Sequence, residues 1–188
     1  MKYKITIRNT IRHFHLINKH RFLVWNLCRK VGLPIHGLFH DLSKYSPTEF
    51  WESVKYYQGT YSPIRNCKTE NGYSKAWLHH KGRNKHHYEY WYDEAAPNKT
   101  PIMPKKYFKE MICDSIAAGI GYQGKNWNKE YQLTYWNKTK NRSSINETMK
   151  ETLSTIYEDL ANYGLKKVIN KSYLDQKYEE MVEKDNAK

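Results

Sequence analysis

Three ionisable residues sit where a folding chain has least room for them. His40 and Asp41 are adjacent, with Gly37-Leu38-Phe39 before them and Leu42 after. Asp114 stands between Met111-Ile112-Cys113 and Ile116-Ala117-Ala118. Burying such groups is expensive unless they are paired or bound to a metal. A chain with this pattern has to fold so that those segments meet around shared partners.

The local signals along the chain are helical. From about Thr10 to Val31 the apolar residues Ile11, Phe14, Ile17, Trp25, Cys28 and Val31 recur at three- and four-residue intervals. Gly32 and Pro34 then break the helix. Ile35, Leu38, Phe39 and Leu42 predict a short buried helix that carries His40-Asp41. Ser46-Pro47-Thr48-Glu49 reads as a helix start, with Ser as N-cap, Pro at N1 and Glu at N3, for a helix reaching about Tyr57. Gln58 to Gly72 reads as a loop. A helix from about Tyr73 to Lys81 follows, and a second begins near Asn84. Asp93 to Met103 is loop-like. Pro104 then starts a helix with Phe108, Met111, Ile112, Ile116 and Ala117 inward, ended by Gly119, Gly121 and Gly124. Ser144-Ile145-Asn146-Glu147 repeats the capping-box pattern. It precedes a stripe of Ile145, Met149, Leu153, Ile156 and Leu160, and Gly164 is a natural stop. The tail from Leu165 is expected to be helical. Nothing reads as a strand, so the expected fold class is all-α.

The 188 residues, 39% apolar and 15% aromatic, suffice for one domain with a real core. The expected division is a helical core over about 10–121 and a C-terminal helical extension over about 126–185. No stretch approaches the ~18 apolar residues of a membrane span. The basic start, Met1-Lys2-Tyr3-Lys4-Ile5, is not followed by an apolar signal region. The expected location is therefore the cytoplasm. Cys28, Cys67 and Cys113 are odd in number and far apart, which suits free thiols in a reducing compartment rather than a disulfide framework or a zinc ribbon. The formal charge is +13, from 32 basic and 19 acidic residues. That excess attracts nucleic acid, nucleotides or anionic lipid. The lysines occur singly along the chain, however, and the wealth of Lys, Asn, Tyr and Ile also fits AT-rich coding.

Nine histidines are present, and their placement carries the argument. His20 falls in the first long helix, His40-Asp41 in the short one, and Asp114 in the middle of the Pro104 helix. His79, His80, His86 and His87 cluster between. Helical bundles build metal sites where side chains of separate helices converge. Imidazole with carboxylate suits Zn, Fe, Mn, Co or Ni, and one or two such ions would keep positions open for water and substrate. A helical step separates His79 from His80 by about 100°. His80 shares its face with Tyr73 and Trp77 and is the expected ligand, and His86 is preferred over its neighbour His87. Lys44, three residues after Asp41, lies on the same face and can bind a phosphate oxygen or hold Asp41 in place. His13, His15 and His36 read as ordinary core or surface histidines.

The order His20, His40-Asp41, Asp114 resembles the HD-domain metal-dependent phosphohydrolases. His40-Asp41-Leu42-Ser43-Lys44 is similar to that family's His-Asp-Ile-Gly-Lys stretch, with Ser43 in place of the usual Gly. The similarity runs from about Thr10 to Gly121. The whole chain also resembles an uncharacterised family of phage and bacterial proteins. That likeness rests on His40 through Phe50, on Asn84-Lys85-His86-His87-Tyr88-Glu89-Tyr90-Trp91, and on Met103-Pro104 with Glu110-Met111-Ile112-Cys113-Asp114. A phage origin would place the protein in the host cytoplasm.

The HD resemblance implies an HD-like bundle in which His20, His40, Asp41 and Asp114 bind one metal, and His80 with His86 or His87 complete it or bind a second. The reaction it implies is attack of a metal-activated water on a nucleotide or another small phosphate ester. Lys44, Arg83 and Lys85 are candidate neutralisers of transition-state charge. Glu89 is a candidate orienter or proton shuttle, or else an exposed helix carboxylate. Arg65 can close over substrate or be an ordinary surface arginine. Histidine-rich relatives include phosphodiesterases and di-iron oxygenases. A third possibility is a non-catalytic scaffold that binds a nucleotide or nucleic acid. Lys125-Asn126-Trp127-Asn128-Lys129 and Tyr135-Trp136-Asn137-Lys138 would suit base stacking, or would pack the C-terminal helices onto the core.

Overall fold

The structure, a computed structural model, describes residues 3–142 and 144–188. Met1 and Lys2 of the basic N-terminus lie outside the described residues. The described residues form helices and no strands, so the fold is all-α. Among them, no helix is long and apolar enough to cross a membrane.

Two long helices form the frame. Helix α1, Ile7–Lys30, is capped by Thr6, whose hydroxyl accepts from Asn9 N–H, and it ends on Arg29 and Lys30, whose charges suit the C-terminal dipole. Helix α6, Lys105–Gln123, starts behind Pro104 and stops at Gly124. Its expected inner face of Phe108, Met111, Ile112, Ile116 and Ala117 is buried. Gly119 and Gly121 lie inside α6 rather than ending it. The helices α8, Glu147–Tyr163, α9, Leu165–Val168, and α10, Lys171–Asn186, close the far side. Helix α8 starts at Asn146, whose side chain accepts from Met149 N–H, two residues later than the Ser144 expected from the motif. The predicted stripe from Ile145 to Leu160 is buried, and Val24, Cys28, Ile112, Ile116, Ile156, Leu160, Leu174 and Met181 belong to one core cluster. Each fully buried Leu or Ile contributes roughly 1.5–3 kcal/mol. Trp136, on α7 (Tyr131–Thr139), is in the same core, while Tyr135 is exposed. All three cysteines are buried and free.

The segment between α1 and α6 departs most from expectation. Helix α2 is only Pro34–Leu38. It lies so close to α1 that a Cβ on Gly37 would stand 2.4 Å from Cys28 Cβ. The glycine is therefore the face that packs, and the predicted inner residues Ile35, Leu38, Phe39 and Leu42 point outward, 73%, 52%, 62% and 47% exposed. Helix α3, Pro47–Lys55, has the expected start, with Ser46 Oγ accepting from Glu49 N–H, but stops before Tyr57. Residues expected as loop contain α4, Pro63–Asn71, with Pro63 at its first turn and Gly72 in the left-handed region (φ 79°) at its end. Helix α5, Lys75–Arg83, is capped by Ser74. The helix expected from Asn84 does not form. Asn84 is extended (φ −112°, ψ 99°), its amide donates to Ser43 Oγ and to the His80 carbonyl, and only a short 3-10 turn follows at Tyr88–Tyr90.

Candidate metal centre

The His40-Asp41 pair was expected on a helix and instead occupies the turn between α2 and a 3-10 turn at Leu42–Tyr45. Asp41 has φ 54° and ψ 31°, and among the described residues it is the one non-glycine with positive φ. A left-handed backbone is uncommon outside glycine but least costly for Asn and Asp. This conformation points the carboxylate inward, where Asp41 is 1% exposed. Lys44 Nζ forms an ion pair with Oδ2 at 2.5 Å, and Oδ1 is buried without a hydrogen bond.

Each oxygen of Asp41 faces a different set of side chains. On the Oδ2 side, His40 Nε2 is at 3.1 Å and His20 Nε2 at 3.7 Å. Asp114 Oδ1 lies 2.9 Å from His20 Nε2 and 3.5 Å from His40 Nε2. On the Oδ1 side, His80 Nε2 is at 3.4 Å and His86 Nε2 at 3.5 Å. His86 Nε2 is also 3.6 Å from Asp114 Oδ2. One ligand atom from each of His20, His40, Asp41 and Asp114 lies within 4.8 Å of the others, and the same holds for Asp41, His80, His86 and His87. Helices α1, α5 and α6 and two turns thus deliver their side chains to one point.

Two carboxylates that the sequence reading did not single out hold these rings. Glu110, on α6, accepts from His40 Nδ1 at 2.7 Å and from His36 Nε2 at 2.6 Å, and lies 3.4 Å from His86 Nδ1. Glu49, on α3, accepts from His80 Nδ1 at 2.8 Å and from His79 Nδ1 at 2.6 Å. A carboxylate on Nδ1 fixes the tautomer and leaves Nε2 directed inward, the usual support of a metal-binding histidine. His36, read as ordinary, is therefore part of this support. Glu110 sits four residues before Asp114, one turn along the same face of α6, and that spacing was the available signal. Glu49 gave none, because its place in the cap motif already accounts for it.

The electrostatics follow from burial and close charge. Burial alone would raise the Asp41 carboxyl, but His40 and Lys44 outweigh it and hold the group well below the usual carboxylate range. Asp114 is lowered in the same way, by His20 and His40 against burial. Burial would lower the Lys44 ammonium, yet Asp41 and Asp114 raise it, so it stays charged. Burial, reinforced by His86 and His80, pushes His87 well below its ordinary value. His87 is then neutral, the form that binds metal.

The residues fit a metal on a structural ground. Asp41 Oδ1, His86 Nε2 and His87 Nε2 are buried polar atoms without hydrogen bonds, beside an Asp41 Oδ2 that is ion-paired with Lys44. Buried polar groups are rarely left so without a partner, and a cation shared among carboxylate oxygens and imidazole nitrogens would satisfy them together.

A cavity of about 190 Å³ opens on this cluster, and His13, His20, Lys44, His80, His87 and Tyr122 are among its walls. Lys44 is the one Lys or Arg that lines it among the described residues. Of the other predicted site residues, Arg65 is exposed over the Tyr61 ring, Lys85 is exposed over the Tyr90 ring, and Arg83 is exposed. None of the three lines this cavity. Glu89 is mostly buried in the Tyr88–Tyr90 turn, where burial raises its carboxyl, and it borders an adjoining chamber.

A family model, described as a family of unknown function (DUF5662), matches residues 9–159. No curated protein and no solved structure matches the chain.

Proposed function

The chain belongs to that family of unknown function, so its chemistry must be read from the site, and we propose that it is a metal-dependent phosphohydrolase acting on a nucleotide or another small phosphate ester or phosphodiester. The observation that carries this reading is Asp41, whose two buried oxygens face two separate sets of inward-pointing imidazole nitrogens, Oδ1 without a hydrogen bond and Oδ2 paired only with the Lys44 ammonium and the rings around it. The HD resemblance of the His20, His40-Asp41, Asp114 order supports it.

His20, His40, Asp41 and Asp114 would hold one divalent ion, and Asp41, His80 and His86, with His87 beside them, a second. A bound transition ion supplies Lewis-acid polarisation of a phosphoryl oxygen and lowers the pKa of water toward ~7. The chain supplies the rest. Glu110 and Glu49 keep His40 and His80 in the tautomer with Nε2 free. Lys44, paired with the buried Asp41, stays cationic in the cavity wall, so its ammonium can meet a phosphate oxygen. Because one carboxylate lies between two ligand sets, a di-iron oxygenase is the second reading.

The test starts with elemental analysis of protein purified without chelator or nickel resin. Mn, Co or Ni should then support phosphate release or diester cleavage from a nucleotide panel, and EDTA should abolish it. Bound iron with oxygen consumption and no phosphate release would favour the oxygenase. An inert metal-loaded protein that binds RNA or DNA with a steep salt dependence would instead be a non-catalytic binder.

A further inference from the structure

Next to the metal-centre cavity lies a larger one, of about 400 Å³. The two share Ser62, Trp77, His87, Asp114, Ala118 and Tyr122 as walls, so a molecule filling the larger chamber has one end at Asp114. Its far wall comes from α7 and α8, the C-terminal part of the chain, through Gln132, Tyr135, Trp136 and Tyr157. Interiors normally pack with few voids larger than a water molecule, whereas a space of this size is in the range of ligand sites.

The chemistry of the lining is specific. Tyr61, Trp77, Tyr131, Tyr135 and Trp136 bring aromatic surfaces to it. The Tyr131 and Tyr135 rings are near parallel, 13° between planes and 6.4 Å between centroids. Gln132 is 2% exposed, and its Nε2 donates to Ser115 Oγ at 2.5 Å. Gln132 Oε1 makes no hydrogen bond and lies against Gly119 on the side of the Trp127 indole, whose Nε1 is a buried donor likewise without one, and Glu89 Oε2 is a further such atom. Gln132 and Glu89 thus bring polar groups to the border of a space walled by rings, which suits a flat ligand with polar edges. No Lys or Arg lines the chamber among the described residues, and the neighbouring cavity has only Lys44. A polyphosphate chain would find no row of cations here, so the ligand's charge is confined to the metal end.

We propose that this chamber binds the nucleoside of a nucleoside monophosphate, with the base between the aromatic walls, its polar edges toward Gln132 and Glu89, and the phosphate at the Asp114 end. The phosphate end rests on the phosphohydrolase reading; the nucleoside end does not. In the hydrolysis the ester P–O bond breaks, the oxygen of water bonds to phosphorus, and the ribose oxygen leaves with a proton. Nucleoside and inorganic phosphate are the products.

The experiment titrates adenosine, guanosine, cytidine and uridine, with ribose 5-phosphate as the control without a base, into EDTA-treated full-length protein. Binding is read by calorimetry and by tryptophan fluorescence, since Trp77 and Trp136 line the chamber. At least one nucleoside should bind, ribose 5-phosphate should not, and the triphosphate of the same nucleoside should bind more weakly than the nucleoside itself. Tyr135→Ala, at a half-exposed position, and Gln132→Leu should each weaken nucleoside binding tenfold or more while leaving bound Mn unchanged. Absence of nucleoside binding, indifference to both substitutions, or tighter binding of the triphosphate overturns the proposal. Phosphate release at equal rates from ribose 5-phosphate and from nucleoside monophosphates, without nucleoside binding, would also overturn it and leave the hydrolase reading standing. Nucleoside binding that meets every expectation, with no phosphate released under any metal, would sink the hydrolase reading and leave the chamber standing.

Discussion

At the scale of single residues, Asp41 joins a backbone demand to a chemical one. Asn tolerates the left-handed region as Asp does, so Asp41→Asn keeps the turn and removes only the charge. The variant should lose metal. Relief of a buried charge opposes the loss of the Lys44 ion pair, so the metal-free variant should melt close to metal-free wild type, and added Mn should raise the melting temperature of wild type alone. Equal stabilisation of both proteins by Mn would remove Asp41 from the ligand set. Glu110→Gln tests the support beneath it and should weaken metal binding about 10–100-fold in an equilibrium titration. His13 gives a pH prediction. Burial, then Lys44, lowers its pKa from 6.5 to about 4. As pH falls from about 6.5 to about 4, the unfolded chain takes up a proton that the folded one refuses, so stability falls with pH across that window, by about 3 kcal/mol from this group alone. His13→Gln should show a shallower acid slope in its melting temperatures than wild type. His20, His40, Asp41 and Asp114 were legible because ionisable groups stand out in apolar segments. Glu49 was hidden by its place in a cap motif, and Glu110 was marked only by its four-residue spacing to Asp114, since the histidines both carboxylates hold are distant in sequence.

At the scale of elements, the apposition of α2 and α1 sets the position of the His40-Asp41 turn. A Cβ on Gly37 would meet Cys28 Cβ at 2.4 Å and the Trp25 Cα at 3.3 Å, where backbone cannot yield. Gly37→Ala should push α2 off α1 and cost about 1–3 kcal/mol. It should also weaken metal binding, because His36 and His40 flank that glycine and both rest on Glu110. A melting curve and a metal titration on one preparation check the two effects, and a stability loss with unchanged metal affinity would uncouple the contact from the site. Long periodic helices such as α1, α6 and α8 were readable from their apolar spacing. Helix α4 was missed because Cys67 and Ile64 make too thin a stripe to register, although Pro63 and Gly72 bracket it. The exposed apolar side of α2 was unreadable for a related reason: a helix of five residues has no periodicity, and the face that packs is a glycine.

At the scale of the whole molecule, one core joins the first helix to the last. Leu153, Ile156, Leu174 and Met181 share a cluster with Val24 and Ile112. Truncation after residue 142 removes α8 to α10 and strips that cluster, so residues 1–142 should give no cooperative thermal transition, whereas the full chain should unfold in one step by circular dichroism. A sharp melt of the truncated protein would mean that the first part folds alone. The all-α class was legible in the absence of any strand pattern. The chamber between α6, α7 and α8 was not, because it is an empty volume whose walls come from segments far apart in sequence, although Tyr135-Trp136 reads as suited to base stacking or to packing. The scarcity of cations in both cavities contrasts with the chain's formal charge of +13. On the proposed phosphohydrolase reading, encounter would be governed by a diffuse field that salt screens within about 10 Å at 0.1 M, while turnover would take place where that field has little leverage. Raising ionic strength should therefore slow the capture of phosphorylated molecules, seen as a higher KM, and leave kcat nearly constant.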